Sequence, residues 1–142
     1  MTTQADIFSE KLAAQPADSI MIKRIEMFVL PSVLPEPSSY RICLKVTSDI
    51  GLGWSELFIK RSEKPCDWTR WSSMLLRFIG IFPLAAPSLL QRNSMIKDER
   101  LVHLFAAAAP GLVGTHSFCP FRNHDWDEAV LFKQAISYIS LF

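Results

Sequence analysis

From Ile20 onward the chain alternates between apolar and polar positions. Ile25, Met27 and Val29 fall on one side of an extended segment, with Arg24 and Glu26 on the other, the period of a half-buried strand. This predicts a first strand over Ile20–Leu30 that stops at Pro31. The stretch that follows, PSVLPEPSS, carries three prolines and reads as a stiff, exposed connection without ladder donors. Tyr40–Thr47 alternates again, with Ile42, Leu44 and Val46 against Arg41, Cys43, Lys45 and Thr47. A further strand is expected over Leu52–Ile59. The short loop Ser48-Asp49-Ile50-Gly51 between them has Asp and Gly where a tight hairpin needs them. Strands joined this closely are antiparallel neighbours, and the first strand beside them completes a meander.

After the charged loop Lys60–Pro65 the period changes to that of a helix. Asp67 is a candidate N-cap, and Trp68, Trp71, Leu75, Phe78 and Ile79 recur at helical spacing until Gly80 and Pro83 end the element. A short helix is expected over Pro87–Gln91. Another is expected from Asp98 to Ala109, with Leu101, Val102, Leu104, Phe105 and Ala108 inward and Pro110-Gly111 stopping it. Gly111–Asn123 reads as a loop. A last helix opens on Asp125-Trp-Asp-Glu128, which has capping-box spacing, and should run to Leu141 with Ala129, Phe132, Ile136 and Ile139 on one face. Strands first and helices after them indicate α+β, a three-stranded antiparallel meander followed by three to four helices. Residues 1–19, polar and Ala-rich, read as a flexible tail, leaving one domain over 20–142.

Composition narrows the function classes. The 142 residues are 49% hydrophobic and 20% charged with a formal net charge of +1, so no global field calls for a nucleic acid, and the basic residues are dispersed. An apolar fraction this high in so small a domain implies apolar surface that meets another domain or chain. The most apolar window, Met74–Leu90, contains Arg77, Pro83 and Pro87, which argues against a membrane-spanning helix. The residues before Ile20 lack the charged and apolar regions of a secretory signal. Cys43, Cys66 and Cys119 are odd in number without a CxxC pair, and read as reduced thiols of a cytoplasmic protein.

Few side chains point to chemistry. Asp49 reads as a turn residue and Glu56 as the partner of a nearby cation; Trp54 reads as a packing anchor, and Trp68 and Trp71 as core or interface. His116, Cys119, His124 and Asp125 are zinc-ligand types, but their spacing lacks the pairs of a structural site, and no flanking signature marks Cys119 as a nucleophile. His103, amid LVHLF, reads as a partly buried core histidine. There is no phosphate-binding loop and no dinucleotide fingerprint.

Four segments, taken in order, resemble the N-terminal capping domain of the enolase superfamily in its mandelate racemase and muconate lactonizing branch. IKRIEMFVL is similar to that domain's opening strand. VTSDIGLGWSE resembles V-T-x-D-D-G-x-x-G-W-G-E, with Asp49, Gly51, Gly53, Trp54 and Glu56 in place. LLRFIGIFPL resembles the helix end followed by G-x-D-P, with Gly80 and Pro83 matching, and Ala135–Ile139 resembles A-I-S-x-I. Ser48, Ser55 and Phe82 depart from the pattern, and residues 93–124 match poorly. The resemblance implies a lid whose two loops close over the mouth of a β/α barrel. The matching segments are Leu30–Ser39 and Phe58–Pro65, with Pro35, Glu36, Ser38, Phe58 and Lys60 as the candidate substrate-lid residues. In that family the barrel supplies the bases and the carboxylates that hold magnesium, and none of those positions is present. The implied chain is therefore non-catalytic, with no cofactor of its own, magnesium entering only with a partner barrel. The expected partner is a separately encoded barrel or a second copy of the chain. Two other readings stand beside it: a stand-alone protein-interaction domain that keeps only the fold, and an independent enzyme using His116, Cys119 and His124.

Overall fold

The computed structural model describes residues 19–83, 96–113 and 128–142. Its first three elements are the expected meander: β1 (Ser19–Ser32), β2 (Ser39–Ser48) and β3 (Leu52–Ile59). β1 lies antiparallel to β2, from Ile22 opposite Ser48 to Ser32 opposite Ser39, and β2 pairs with β3 from Tyr40 opposite Ile59 to Thr47 opposite Leu52. The fold is α+β, as the order of patterns requires. β1 runs two residues past Leu30, because Pro31 sits near the strand end, where a missing donor is tolerated.

A bulge at Lys23 governs which side chains of β1 share a face. The register with β2 slips between Ile22 and Arg24, so Ile20 and Ile22 join Ile25, Met27 and Val29 on one side although their numbers differ in parity. This inner face meets Ile42, Leu44, Val46 and Ile59 of the other strands and is covered by helices. α1 (Trp68–Ser73) has Asp67 as its N-cap, accepting from the amides of Thr69 and Arg70. The helix expected to continue to Ile79 tightens to a 3-10 turn over Met74–Phe78. Ser72 and Ser73 explain the change, since their hydroxyls donate back to the carbonyls of Thr69 and Arg70 at 3.0 and 2.6 Å and compete with the α ladder. α2 (Glu99–Ala108) is capped by Asp98 and followed by a 3-10 turn over Ala109–Val113. It places Leu101, Leu104, Phe105 and Ala108 inward, with Phe105 stacked on Phe78 at 3.9 Å.

Two further strands were not in the sequence pattern. β4 (Gly80–Pro83) opens on Gly80, whose φ of 112° turns the chain out of the helical run, and it pairs with β1 over Ser19–Ile22. The last helix, α3 (Glu128–Gln134), is much shorter than expected and gives way to β5 (Ser137–Leu141), which pairs with β1 over Ile25–Val29. The expected helical stripe fails because Phe132 and Ile136 lie exposed, whereas Ile139 and Leu141, two apart, turn to the core as a strand requires. Tertiary pairing with the open edge of β1 overrides the local spacing. Among the described residues the sheet thus has five strands, β3-β2-β1 with β4 and β5 in succession along the far edge of β1.

α3 and β5 also change the outer face of the sheet, expected to be solvated around Arg24 and Glu26. Phe28, Leu30, Cys43 and Leu131 form a small second core there, and Glu26 is buried. Residues 1–18, the helix expected over Pro87–Gln91 and the capping box opening at Asp125 lie outside the described residues.

Candidate functional site

The two segments singled out as lid loops meet at one end of the sheet. β1 and β2 are joined there by Val33–Ser38, a loop tied by its own serines. Ser32 Oγ donates to the carbonyl of Leu34 at 2.9 Å and accepts from its amide at 3.0 Å. At the other end of the loop the buried Ser39 Oγ donates to the carbonyl of Glu36 and accepts from its amide. Ser38 takes a positive φ of 65°, which returns the chain to β2. Held this way, the loop turns Val33 and Leu34 outward, 74% and 58% exposed. The loop's internal hydrogen bonds hold this apolar pair out to water.

Beside the loop, in one register row, Phe58 of β3 lies opposite Arg41 of β2, and Arg41 opposite Leu30 of β1. Directly opposed residues share a face, so Phe58 and Arg41 stand together. The Arg41 guanidinium lies 5.6 Å from the Phe58 ring centre and is bound to Glu56 Oε1 through Nε at 2.6 Å and Nη2 at 2.5 Å. Pro31, Ser32, Val33, Leu34, Ser38, Arg41 and Phe58 together line an open cleft of about 580 Å³. Of the candidate lid residues, Ser38 and Phe58 line it. Pro35 and Glu36 belong to the loop but not to the lining, and Lys60 stands past the end of β3, where its amide donates to Glu63 Oε1 at 3.1 Å. Arg41, Val33 and Leu34 were not singled out in the sequence. Arg41 alternates with Phe58 across a predicted strand pair, a signal that becomes readable only once the register is known.

The second candidate loop is anchored rather than open. Arg100 of α2 reaches it through a bond from Nη1 to the carbonyl of Glu63 at 2.8 Å, while Nε and Nη2 hold the Asp98 carboxylate. Trp71 Nε1 donates to the same carboxylate at 2.7 Å. The Arg100 hydrogen bonds hold the Asp98 carboxyl below its ordinary range, and Asp98 in return raises the Arg100 guanidinium. A shallow depression of about 540 Å³ opens here, lined by Met74, Lys97, Asp98, Glu99 and Arg100. At its floor Asp98 and Arg100 are bound to each other, and that pair serves as a structural clamp.

The remaining candidates resolve differently. Glu56 pairs with a cation, Arg41, as expected. Asp49 does not cap its own turn: its carboxylate accepts from the amide of Met21 at 3.1 Å, and the turn is capped by Ser48, whose Oγ accepts from the amides of Ile50 and Gly51. Trp54 stacks on Phe28 at 6.2 Å. Trp68 packs edge-on against Tyr40, and Trp71 is buried in the inner core. His103 is exposed, not partly buried, because α2 turns Leu101, Leu104 and Phe105 inward and leaves position 103 outside. His116, Cys119, His124 and Asp125 lie outside the described residues, and among the described residues no cluster of side chains could hold a metal ion. No helix of the described residues is long and apolar enough to cross a membrane. No family model matches this chain, and neither does any curated protein or solved structure.

Proposed function

We propose that this chain is a non-catalytic capping domain, a lid for the site of a larger, separately encoded body, in the manner of the N-terminal domain of mandelate racemase and muconate lactonizing enzymes. The observation that carries the reading is the convergence of Val33–Ser38 and Phe58 on one cleft whose rim holds Val33 and Leu34 out to solvent. A lid needs this geometry: apolar cover that excludes water, on a loop stiff enough to need little ordering when it closes. The cleft offers cover without chemistry. Arg41 is tied to Glu56, and the hydroxyl of Ser32 is engaged by Leu34. The order of the meander and the hairpin residues Gly51, Gly53, Trp54 and Glu56 support the same reading. Bases and magnesium would then belong to the partner barrel, with both proteins sharing the cytoplasm.

The test is reconstitution. The full chain is mixed in magnesium buffer with a mandelate racemase-type or muconate lactonizing-type barrel lacking its own capping domain. The expected result is a one-to-one complex in sedimentation and a gain in turnover, both lost in the double variant Val33→Asp/Leu34→Asp. A chain that neither binds nor activates any such barrel rules the lid out. The exposure of Val33 and Leu34 also favours a second reading, a stand-alone protein-interaction domain. Self-association without a barrel, abolished by the same double variant, would select it.

A further inference from the structure

Among the described residues one short segment closes the outer face: α3 lies over it through Leu131, and β5 continues the sheet beside β1, sending Tyr138 and Ser140 to that face. Its seat is mixed. The apolar part is the cluster of Phe28, Leu30, Cys43 and Leu131, with Phe132 edge-on to Phe28 at 5.0 Å. The polar part is Arg24, Glu26 and Lys45, and each of them reaches the segment. Arg24 Nε donates to Ser140 Oγ at 2.8 Å and its Nη2 to Tyr138 Oη at 3.1 Å. Tyr138 Oη donates to the Glu26 carboxylate at 2.6 Å, and Lys45 Nζ donates to both carboxylate oxygens of Glu128 at 2.9 and 3.0 Å. The three groups also hold one another, with Arg24 Nη2 3.6 Å and Lys45 Nζ 4.0 Å from Glu26. Lifting the segment would strand no charge: it would expose a row that is already paired and that water solvates readily. The inner face offers no such route, since its described core is twenty buried apolar residues. β5 adds only Ile139 and Leu141 to that core, at 8% and 9% exposure the least buried of its members.

We propose that Glu128–Leu141 is a strap that lifts and recloses as a unit over the outer face while the meander and the helices on the inner face stay folded. Lifting bares the edge of β1 from Ile25 to Val29 together with Phe28, Leu30 and Cys43. Such a strip, with open backbone donors and acceptors above an apolar seat, is of the kind that accepts an added strand, and β5 is its resident occupant. This inference does not depend on the lid reading.

Cys43 reports the motion. It is fully buried beneath the strap, and burial pushes its thiol up to about 12, so the closed form is inert to thiol reagents. The full chain carrying Cys66→Ser and Cys119→Ser leaves Cys43 as the single thiol. Labelling with Ellman's reagent is expected to proceed faster than global unfolding, and the amides of Ser137–Leu141 to exchange with deuterium as a group ahead of those of β2. Tyr138→Phe should speed labelling about tenfold and Glu128→Gln about threefold. Ser55→Ala removes an inner-face bond to the carbonyl of Leu104 and should leave labelling within about twofold. Equal acceleration by Ser55→Ala, no acceleration by Tyr138→Phe, or exchange of β5 only together with β2 would each overturn the proposal. Equal acceleration by Ser55→Ala, or joint exchange of β5 and β2, means that Cys43 is reached only when the whole domain unfolds; no acceleration by Tyr138→Phe means that the Tyr138 bonds do not hold the segment closed.

Discussion

Gly53 has no room for a side chain: a Cβ built there would lie 1.9 Å from the carbonyl oxygen of Ala108, and one on Gly111 would lie 2.5 Å from that of Leu52. The two glycines let β3 and the end of α2 approach backbone to backbone, a contact that no rotamer change can relieve. Gly53→Ala is therefore expected to cost about 2–3 kcal/mol in a chemical-denaturation midpoint, near the top of the overpacking range. A loss under about 0.5 kcal/mol would mean that α2 shifts freely on the sheet. The hairpin serines Ser48 and Ser55 have comparable tasks. Ser48 Oγ donates to the carbonyl of Leu112 at 2.8 Å as well as capping its turn, and Ser55 Oγ donates to the carbonyl of Leu104 at 2.6 Å. Ser55 ties the hairpin to α2, and Ser48 ties it to the 3-10 turn that follows α2. None of this was legible in the residues themselves. Gly53 stood out only as a match to the hairpin motif and Ser55 only as a departure from it, because the partner that gives each its packing role lies roughly fifty residues further along the chain.

At the level of elements, the meander and the caps were legible and the late strands were not. Asp67 announces its helix because a cap is a local bond, made within three residues of the capping side chain, and Asp98, read as the first residue of its helix, proves to be the cap of α2. Asp98 also carries a tertiary load, binding Trp71 and, through Arg100, the loop that follows β3. Its carboxyl is depressed below the ordinary value of 3.8. A depressed carboxyl contributes stability that is fully present above the ordinary value and is lost as pH falls through the lower folded one. The thermal-midpoint gap between the native chain and Asp98→Asn should therefore hold steady from about pH 7 to 5 and close progressively below about pH 4. A gap unchanged down to about pH 2 would show that Asp98 acts through shape and not charge. β4 and β5 escaped prediction for a different reason. A four- or five-residue strand with no partner beside it in sequence has too little pattern to be told from a helix end.

For the molecule as a whole, stability and function should separate. Val33 and Leu34 contribute nothing to either core, so Val33→Asp/Leu34→Asp is expected to move the thermal midpoint by less than about 4 °C while abolishing association through the cleft. A large loss of stability would place the loop in the folding core instead of at a docking rim. The cleft itself was half legible. The two loops followed from the prolines and the strand ends, and their convergence required the register that sets Phe58 beside Arg41. By itself the sequence determined the α+β class, the three antiparallel ribbons, the starts of α1 and α2 and the apolar inner face, because period, turn residues and caps act over a few neighbours. Tertiary structure alone decided that the outer face is covered, that Glu26 is buried, that Lys23 forms a bulge and that the last residues form a strand. Those outcomes depend on which open edge and which uncovered face remain after the meander has formed, and that is a property of the assembled sheet and not of any window of residues.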